Sequence, residues 1–497
     1  MHDDVIRLPD LSPPKVRPRC LDAAPSPAAA SPEDQRHPSG RYRYVAFTAA
    51  TFMAVLLFAL VPLATVLRPA GGDVNGSEGG VLTLLTSGAT SGALVALTML
   101  AGLRWGLFFA LAFVTHRRQP QRSNATPEDE LPLVSINVPA YNEGETIGPA
   151  LRSLVQIDYP RFEIIVVDDG SGDETFEHAK PFEGNYGNCT VRVYRKPNGG
   201  KWSALNFAFH RSVGELVLCV DADSRLGRDA LRLLVEQMRD PQVSAVAGQV
   251  RVRNRDNLIT RLQALEYIIA NGLVRMAQGA TGTVLVVPGP IGLFRRTALE
   301  DVYLRFGCRG DIDKPGEIDG PFEGDTFAED FDLSLALLSL GGRCVYEPRA
   351  ISFTKSPDTA PRLINQRYRW CRGTIQVLRK YIKRAGASRD LRHRRLAAWL
   401  GLTYGLELLV MPLVNAAILV LVLVVLAGGG SIVPLLGWVL AFMLLNLNAA
   451  AFFVAVHGDR LRTLWVAPMY DLYHGVLLNS SLAIAVADEI RGRSMRW

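Results

Sequence analysis

Apolar residues in this chain are concentrated towards both ends, and charged residues are concentrated in the middle. The long apolar runs cover residues 45–67, 81–103, 408–427, 432–456 and 465–487. Each run is long enough for a helix that crosses a bilayer, which needs about 20 mainly apolar residues. Between the second and third runs, residues 131–381 alternate between short apolar strands and amphipathic helices. The pattern therefore predicts about five transmembrane helices around one large domain outside the bilayer.

The charges that flank these runs predict the topology. Residues 41–118 contain the first two predicted spans, with basic residues before the first span and after the second. Because basic flanks stay in the cytosol, we expect the large domain at the cytosolic face of the plasma (inner) membrane. Residues 382–407 are basic and then amphipathic, which predicts a segment at the membrane interface. Residues 408–490 contain about three further spans, and the arginines after them leave the side of the C-terminus open.

The central residues, 131–381, have the pattern of an α/β domain. Strands are predicted at 134–138, 163–167, 191–194 and 215–220, and helices at 146–155, 203–212, 228–238 and 333–340. Short buried strands that alternate with helices are typical of a parallel, doubly wound sheet. Such a sheet binds its ligands at the carboxyl ends of its strands, so the residues that follow the strands are the candidates for chemistry.

Composition adds three constraints. Residues 1–40 are rich in Pro, Ala and Ser without a hydrophobic period, which predicts a disordered tail. The formal net charge is +6, and much of the arginine lies beside the apolar runs. This distribution favours membrane topology and phosphate contact over nucleic-acid binding. The six cysteines are scattered without a zinc or redox spacing, which suits a reducing cytosol.

Two acidic residues, Asp221 and Asp223, follow the apolar strand at 215–220. Because side chains alternate along an extended chain, both carboxylates point to the same side and can reach one cation. A few carboxylate ligands completed by phosphates are what Mg²⁺ or Mn²⁺ accepts. A strand end followed by a helix-capping aspartate remains an alternative for this stretch alone.

Three further loops carry candidate ligand-binding residues. Pro139, Tyr141 and Glu143 follow the first strand, and Asp169 follows the second. Carboxylates there could hold a ribose hydroxyl or a base edge, although ordinary βα turns use the same residue types. Lys201 follows two glycines at the start of a predicted helix, where a phosphate would be stabilised. The loop lacks the spacing of a nucleoside-triphosphatase or dinucleotide fingerprint.

Two helical motifs complete the set. Glu329 and Asp330 open the predicted helix at 333–340, and Asp330 is a candidate general base for an acceptor hydroxyl. Acidic residues also stabilise a first helical turn without any catalytic role. In the motif Gln-Arg-Tyr-Arg-Trp, Gln366, Arg369 and Trp370 share one helix face. Arginine suits a diphosphate and tryptophan suits a sugar ring, whereas an interfacial helix with snorkelling arginines is the alternative.

The order and spacing of these motifs resemble the processive, membrane-embedded, inverting family 2 glycosyltransferases that make cellulose, hyaluronan, chitin and poly-N-acetylglucosamine. The resemblance implies a GT-A (Rossmann-like) domain, a UDP-sugar donor, Mg²⁺ or Mn²⁺, and a growing polysaccharide as acceptor. The resemblance also implies contact with membrane lipid and is compatible with a small membrane partner subunit. It implies no nucleic-acid partner. The implied nucleotide-binding residues are Pro139, Tyr141, Glu143, Asp169, Lys201 and Asp221. The implied metal ligand is Asp223, the catalytic pair is Asp330 and Glu329, and the acceptor and diphosphate residues are Gln366, Arg367, Arg369, Trp370, Gly289 and Pro290.

The chain departs from that family pattern in two places. Ala328 stands where a threonine usually precedes the Glu-Asp pair, and residues 306–326 form an acidic, glycine-rich insertion of unknown position. Gln376 and the neighbouring Arg-Gly pair are similar to cellulose synthases, whereas residues 330–334 are similar to poly-N-acetylglucosamine synthases. The identity of the polymer therefore stays open between these two classes of synthase, and UDP-GlcNAc or UDP-Glc is the favoured donor.

Two other functions are compatible with parts of the sequence. A non-processive transferase could add one sugar to a lipid-linked acceptor, but the Gln-Arg-Tyr-Arg-Trp motif argues against it. A membrane receptor or transporter with a nucleotide-binding module would not need Asp223 and Asp330 together. Transporters also show inverted repeats, which fit poorly with a large insert between spans.

Overall fold

The computed structural model describes residues 103–117, 127–307, 314, 316–385, 391–410 and 461–493, together with residues 443, 447, 450, 451 and 454. The tail expected over 1–40 and the spans expected over 45–67, 81–103, 408–427 and 432–456 lie wholly or mostly outside these residues. The expected last span, 465–487, lies inside them as consecutive helical segments. In the described part of the chain, no helix combines the length and the apolar composition that bilayer crossing requires.

The described residues form a nine-stranded mixed sheet in the order β3-β4-β2-β1-β5-β8-β7-β9-β6. Its strands are β1 (Val134–Ala140), β2 (Phe162–Asp168), β3 (Gly184–Asn185), β4 (Cys189–Arg195), β5 (Leu216–Cys219), β6 (Arg225–Leu226), β7 (Val243–Val252), β8 (Gly292–Arg295) and β9 (Arg343–Thr354). The α/β class that the sequence predicted is confirmed.

The helices lie between and after these strands. They are α1 (103–117), α2 (Gly144–Leu154), α3 (Thr175–Ala179), α4 (Lys201–Arg211), α5 (Ala230–Gln237), α6 (Leu258–Glu266), α7 (Val274–Gly279), α8 (Arg296–Phe306), α9 (Glu329–Ser339), α10 (Ala360–Ala385), α11 (Leu391–Leu400), α12 (Tyr470–Tyr473) and α13 (Asn479–Ile490). Turns of 3₁₀ helix cover Glu128–Glu130, Lys180–Phe182, Gly289–Ile291 and Leu461–Met469, and π-helical turns cover Tyr267–Leu273, Gly401–Val410 and His474–Leu478.

One half of the sheet is parallel, as the sequence predicted, and the other half is mixed. Strands β4, β2, β1 and β5 pair in parallel. Strand β8 then runs antiparallel between β5 and β7, and β9 pairs in parallel with β7. A four-residue strand such as β8 carries no pattern that distinguishes it from a loop, so only its neighbours in space define it.

The parallel half explains where the chemistry lies. Strands β1 and β2 are buried along their whole length, since helices cover both faces of the sheet. In register, Ala140 at the end of β1 pairs with Asp168 at the end of β2, and Asn137 pairs with Cys219 at the end of β5. The loops that follow these three strands therefore open at the same edge of the sheet.

The predicted amphipathic segment, 382–407, contacts the sheet domain in its described part, through Trp399 and Tyr404. Trp399 is buried, its ring stacks 5.9 Å from that of Phe108 in α1, and its indole N–H donates to Thr281 over 2.9 Å. Tyr404 lies 5.1 Å from the ring of Phe331. Helix α13 packs along α10. Residues 391–410 thus contact the sheet domain, and α13 contacts α10.

Candidate active site

A lysine and two carboxylates from three separate elements meet at the carboxyl edge of the sheet. Lys201 opens α4, Glu329 opens α9, and Asp221 follows β5. The Lys201 Nζ lies 2.8 Å from Oδ1 of Asp221 and 3.1 Å from Oε1 of Glu329. Burial alone would lower the pKa of Lys201, but the charges of Asp221 and Glu329 outweigh it and raise the pKa well above its usual value. Lys201 therefore remains a cation that joins two of the predicted site residues.

Asp330 lies beside this cluster in a half-buried position. Burial, followed by the negative charge of Glu329, raises the pKa of Asp330 to about 6, although Lys201 and a backbone N–H oppose the rise. That N–H belongs to Phe331 and donates to Oδ1 of Asp330 over 2.8 Å. At neutral pH this carboxyl group is ionised and is also a stronger base than an exposed aspartate, as proton abstraction requires.

The backbone of Gly289 forms a wall of the cluster. A Cβ at position 289 would lie 2.8 Å from the Lys201 Nζ and 3.4 Å from Oδ1 of Asp221. Pro290 follows within the 3₁₀ turn that leads into β8. The structure thus places Gly289 against the lysine and the carboxylate, and a side chain there would require the Lys201 ammonium group to move.

Two further acids lie close to the same charges. The Thr354 hydroxyl at the end of β9 contacts both carboxylate oxygens of Asp223, at 3.2 and 3.1 Å. Burial and then Asp221 raise the pKa of Asp223. Burial also raises the pKa of Glu143, with further contributions from Asp223 and Asp221. Asp221, Asp223 and Glu143 repel one another in their ionised forms, so a bound cation would stabilise the group.

The donor set suits a hard divalent cation, because carboxylate oxygens are the preferred ligands of Mg²⁺ and Mn²⁺. Among the residues that the structure describes, no group of three or more His, Cys, Asp or Glu side chains is already arranged around a metal position. An ion at Asp221 and Asp223 would thus need ligands from elsewhere, and the phosphates of a nucleotide are the usual source.

The Asp169 carboxylate already has hydrogen-bond and ion-pair partners within the protein. The Lys196 Nζ lies 2.5 Å from Oδ1 of Asp169, and the N–H groups of Gly199 and Gly200 donate to the same carboxylate over 3.1 and 2.8 Å. The direct effect of Asp169 is to shape the loop that presents Lys201. Its predicted contact with a nucleoside stays a prediction.

The neighbouring residues from the first loop are more open. The Tyr141 side chain is 52% exposed, and Pro139 lies within β1. The Asn142 backbone has a positive φ of 54°. Its N–H donates to the Ser171 hydroxyl over 2.9 Å, which ties the first loop to the second.

Residues 316–322 of the insertion that the sequence could not place lie along α4 and are named the strap here. Asn206 donates to the carbonyl oxygens of Ile318 and Phe322 over 2.9 and 3.0 Å, and its own oxygen accepts the Phe322 N–H over 3.0 Å. The Ser203 hydroxyl donates to the Gly316 carbonyl over 2.6 Å. The strap therefore fixes the helix that carries Lys201.

The strap also closes over the glycine loop. The Lys196 ammonium group bridges Asp169 and the Gly316 carbonyl, the latter at 2.7 Å. A Cβ on Gly199 would lie 1.9 Å from the Gly316 oxygen, so the two backbones touch. The glycine loop is thus held both by Asp169 and by the strap.

Helix α10 contacts the acidic motif directly. A Cβ on Gly373 would lie 2.7 Å from the Ala328 methyl group, and the Phe327 N–H donates to the Gln376 side chain over 3.3 Å. Gln366 and Trp370 lie on the same face of α10, further towards its N-terminus. The predicted acceptor motif is therefore on the helix that supports Glu329.

The members of that motif point in different directions. Arg369 is exposed, and the Trp370 side chain is 41% exposed. Arg367 is buried instead, with its Nη2 atom 2.7 Å from Oε2 of Glu266. Glu266, Thr354 and Lys196 were not found from the sequence. Each acts on a partner that is distant in the chain or lies in an ordinary loop, so no local pattern identifies them.

The central residues of the chain also resemble known proteins. Residues 135–303 match the family model described as Glycosyl transferase family 2. The poly-beta-1,6-N-acetyl-D-glucosamine synthase of Staphylococcus epidermidis is 32% identical over 246 residues, which are 49% of this chain and 55% of that protein. The Staphylococcus aureus (strain COL) protein of the same name is 32% identical over 251 residues, 50% of this chain and 56% of that protein. The chain thus spans about half the length of the curated relatives it matches.

A solved structure shows the same fold. The mannosyltransferase from Pyrobaculum calidifontis, solved in complex with GDP-Man and Mn²⁺, is 21% identical and superposes with a TM-score of 0.53. The match covers 80% of this chain and 99% of the other. At this identity the comparison supports the α/β fold.

The strap generates a stability prediction. Replacing Asn206 by Ala removes three hydrogen bonds to the strap and leaves buried backbone groups unpaired. We expect Asn206→Ala to lower the free energy of unfolding by about 1–3 kcal/mol, measured by thermal or denaturant unfolding of the full chain. His210→Ala is the control, because His210 has one contact with the strap, to the Asp319 carbonyl. Equal losses in both variants would show that the strap does not depend on Asn206.

Proposed function

We propose that this protein, whose residues 135–303 form a family 2 glycosyltransferase domain, is an inverting, processive polysaccharide synthase. It polymerises a β-linked polysaccharide from a UDP-sugar, with UDP-GlcNAc or UDP-Glc as donor, and passes the product across the membrane. The observation that carries the proposal is the contact of Lys201 with both Asp221 and Glu329, with the raised-pKa carboxyl of Asp330 beside it. The names of the two staphylococcal relatives support UDP-GlcNAc over UDP-Glc.

The donor nucleotide binds at the carboxyl edge of the parallel strands. Tyr141 and Glu143 on the first loop, and Asp169 on the second, face the nucleoside. Lys201 lies at the N-terminus of α4, where the ammonium group and the helix dipole both favour a diphosphate. Asp221 keeps this lysine in place before the donor arrives.

A divalent cation, Mg²⁺ or Mn²⁺, completes the donor site. Asp223 is its protein ligand, with Asp221 next to it. The ion would neutralise part of the negative charge of the departing diphosphate. In this chain Thr354 orients the Asp223 carboxylate for that purpose. The crowding of Glu143, Asp221 and Asp223, which adds to the effect of burial in raising the pKa of Glu143 and of Asp223, supports this assignment.

The transfer is a single displacement at the anomeric carbon. Asp330 accepts the proton of the acceptor hydroxyl, whose oxygen forms the new glycosidic bond as the bond to the diphosphate breaks. Glu329 raises the basicity of Asp330, and Lys201 stabilises the leaving diphosphate. Attack from the opposite side converts an α-linked donor into a β-linked product.

The acceptor lies between α10 and the Gly-Pro segment. Trp370 offers an exposed ring for a sugar face, and Gln366 and Arg369 lie next to it on α10. Gly289 and Pro290 form the opposite wall, where a side chain at 289 would displace Lys201. A sugar platform beside the base is what repeated additions to one chain require.

The proposal places the enzyme in the plasma (inner) membrane with its catalytic domain in the cytosol. The five apolar runs of the sequence and their basic flanks support this location. Membrane lipid and a small membrane subunit are its expected partners, and nucleic acid is not.

The central test is the loss of the proposed base. Full-length protein is incubated with radiolabelled UDP-sugars and Mg²⁺ or Mn²⁺, and the products are separated by size. We expect the wild type to make polymer from UDP-GlcNAc or UDP-Glc, and Asp330→Asn to lower the rate about 10²–10⁴-fold without loss of UDP binding. Asp325→Asn is the control, because Asp325 is exposed and forms its ion pair with Lys380.

Three outcomes would contradict parts of the proposal. A wild type that adds one sugar only would favour the non-processive transferase. Binding of a UDP-sugar without transfer would favour a receptor. Full activity in Asp330→Asn would show that another group removes the proton.

The pKa of Asp330 predicts the pH dependence. Because a protonated carboxyl cannot accept a proton, kcat/KM should fall below about pH 6, by a factor of about ten per pH unit. Because the pKa of Asp330 is raised, kcat/KM should begin to fall at a higher pH than it would with an ordinary aspartate. Initial rates at subsaturating donor across pH 5 to 8 measure it, with unfolding followed at each pH. A constant kcat/KM down to about pH 5 would argue against a buried, raised-pKa base.

The hydroxyl at position 354 predicts a metal effect. Thr354→Val removes the donor that orients Asp223, whereas Thr354→Ser retains it. We expect the valine variant to need about tenfold more Mn²⁺ for half-maximal activity, and the serine variant to resemble the wild type. Titration of the activity of chelator-treated protein with Mn²⁺ measures this. Identical metal curves for valine and wild type would show that Thr354 does not support the ion.

A further inference from the structure

Arg367 is held away from solvent by an acid and a phenol from two other segments. Its side chain is buried, with Nη2 2.7 Å from Oε2 of Glu266 at the end of α6. The hydroxyl of Tyr473, in α12, donates to the same Glu266 oxygen over 2.6 Å. A buried guanidinium that already has a carboxylate partner is poorly placed to bind a diphosphate, which was the role expected from the sequence.

The same guanidinium contacts both acceptor-side neighbours on α10. Its Cζ atom lies 4.2 Å from the ring centroid of Trp370, and its Nη1 donates to the Gln366 side chain over 3.0 Å. Tyr267 closes the arrangement, with its ring 5.9 Å from the Arg367 Cζ atom and 6.4 Å from the Trp370 ring. The plane of the guanidinium therefore restrains the indole through a cation–π contact.

We propose that Arg367 is a positioning residue, which fixes the Trp370 ring and the Gln366 amide for the sugar acceptor through its buried ion pair with Glu266. This inference rests on the proposed function. It adds that the acceptor platform depends on α6 and on Tyr473, neither of which belongs to the motif.

Two more contacts show that the C-terminal segment supports this part of α10. The Tyr368 hydroxyl donates to Asp488 over 3.0 Å, and Arg372 donates to Glu489 over 2.7 Å. Both acids lie in α13. Helix α10 is therefore held by polar contacts with α13 on both sides of Trp370 in the sequence.

A double-mutant cycle separates positioning from direct contact. The variants are Glu266→Gln, Arg367→Gln and the double variant, in the full-length protein. Each is measured for the KM of an added N-acetylglucosamine oligosaccharide, for kcat, and for UDP affinity. We expect each single variant to raise the acceptor KM about tenfold and to leave UDP affinity within about twofold. The double variant should be no worse than either single variant, because no buried charge is left unpaired.

Two controls address misfolding. Tyr473→Phe removes one hydrogen bond to Glu266 and keeps the ring, so we expect a smaller rise in acceptor KM, about threefold, with unchanged unfolding. Arg343→Gln breaks the ion pair with Asp240 at the opposite end of β9 and should leave every parameter unchanged. A fall in UDP affinity for Arg367→Gln, with effects that simply add to those of Glu266→Gln, would assign Arg367 to the diphosphate and overturn the proposal.

A readout without transfer activity keeps this inference separate from the proposed function. The chain has seven tryptophans, so the signal of Trp370 is obtained by subtracting the fluorescence of matching Trp370→Phe proteins. We expect acrylamide to quench Trp370 more strongly in Glu266→Gln than in the wild type. Unchanged quenching would overturn the positioning role. If the wild type transfers no sugar, the proposed function fails, and the quenching result still decides the role of Arg367.

Discussion

The contact of one ammonium group with two carboxylates is the constraint on which the site depends. Lys201, Asp221 and Glu329 begin or follow three separate elements, and their opposite charges stabilise one another in this partly buried position. Asp330 shares this environment, in which desolvation and then the charge of Glu329 raise its pKa while Lys201 opposes the rise. The glycine at position 289 follows from the same constraint, since any side chain there would push the lysine away from Asp221.

The part of the fold that could be predicted from the sequence is the part with local patterns. Strands β1, β2, β4 and β5 are buried and parallel, so they form continuous or alternating apolar runs that end in polar residues. The mixed half was not predicted, because β8 has four residues and β7 pairs with β9 across a long stretch of chain. Thr354 could not be assigned for the same reason, as its contact with Asp223 exists only once β9 has joined the sheet.

The acceptor motif shows a second limit of sequence patterns. Helical spacing correctly groups Gln366, Arg369 and Trp370 on one face but gives no information about the partner of Arg367, which lies about 100° further round the helix. That partner, Glu266, is in another helix and has no distinctive sequence context. Motif membership alone therefore does not separate a residue that touches a ligand from one that holds its neighbour.

The departure at position 328 has a physical reason in the packing of α10. A threonine there would meet Gly373, whose backbone already lies against the Ala328 methyl group. A hydroxyl is nevertheless present two residues earlier, on Thr326. It accepts a hydrogen bond from the Ala328 N–H over 3.1 Å and contacts the Gly373 carbonyl over 3.4 Å. A small residue at 328 and a hydroxyl at 326 thus let α10 approach the acidic motif closely. The same helix carries Trp370, so this contact links the part of the chain that bears the indole to the acidic motif.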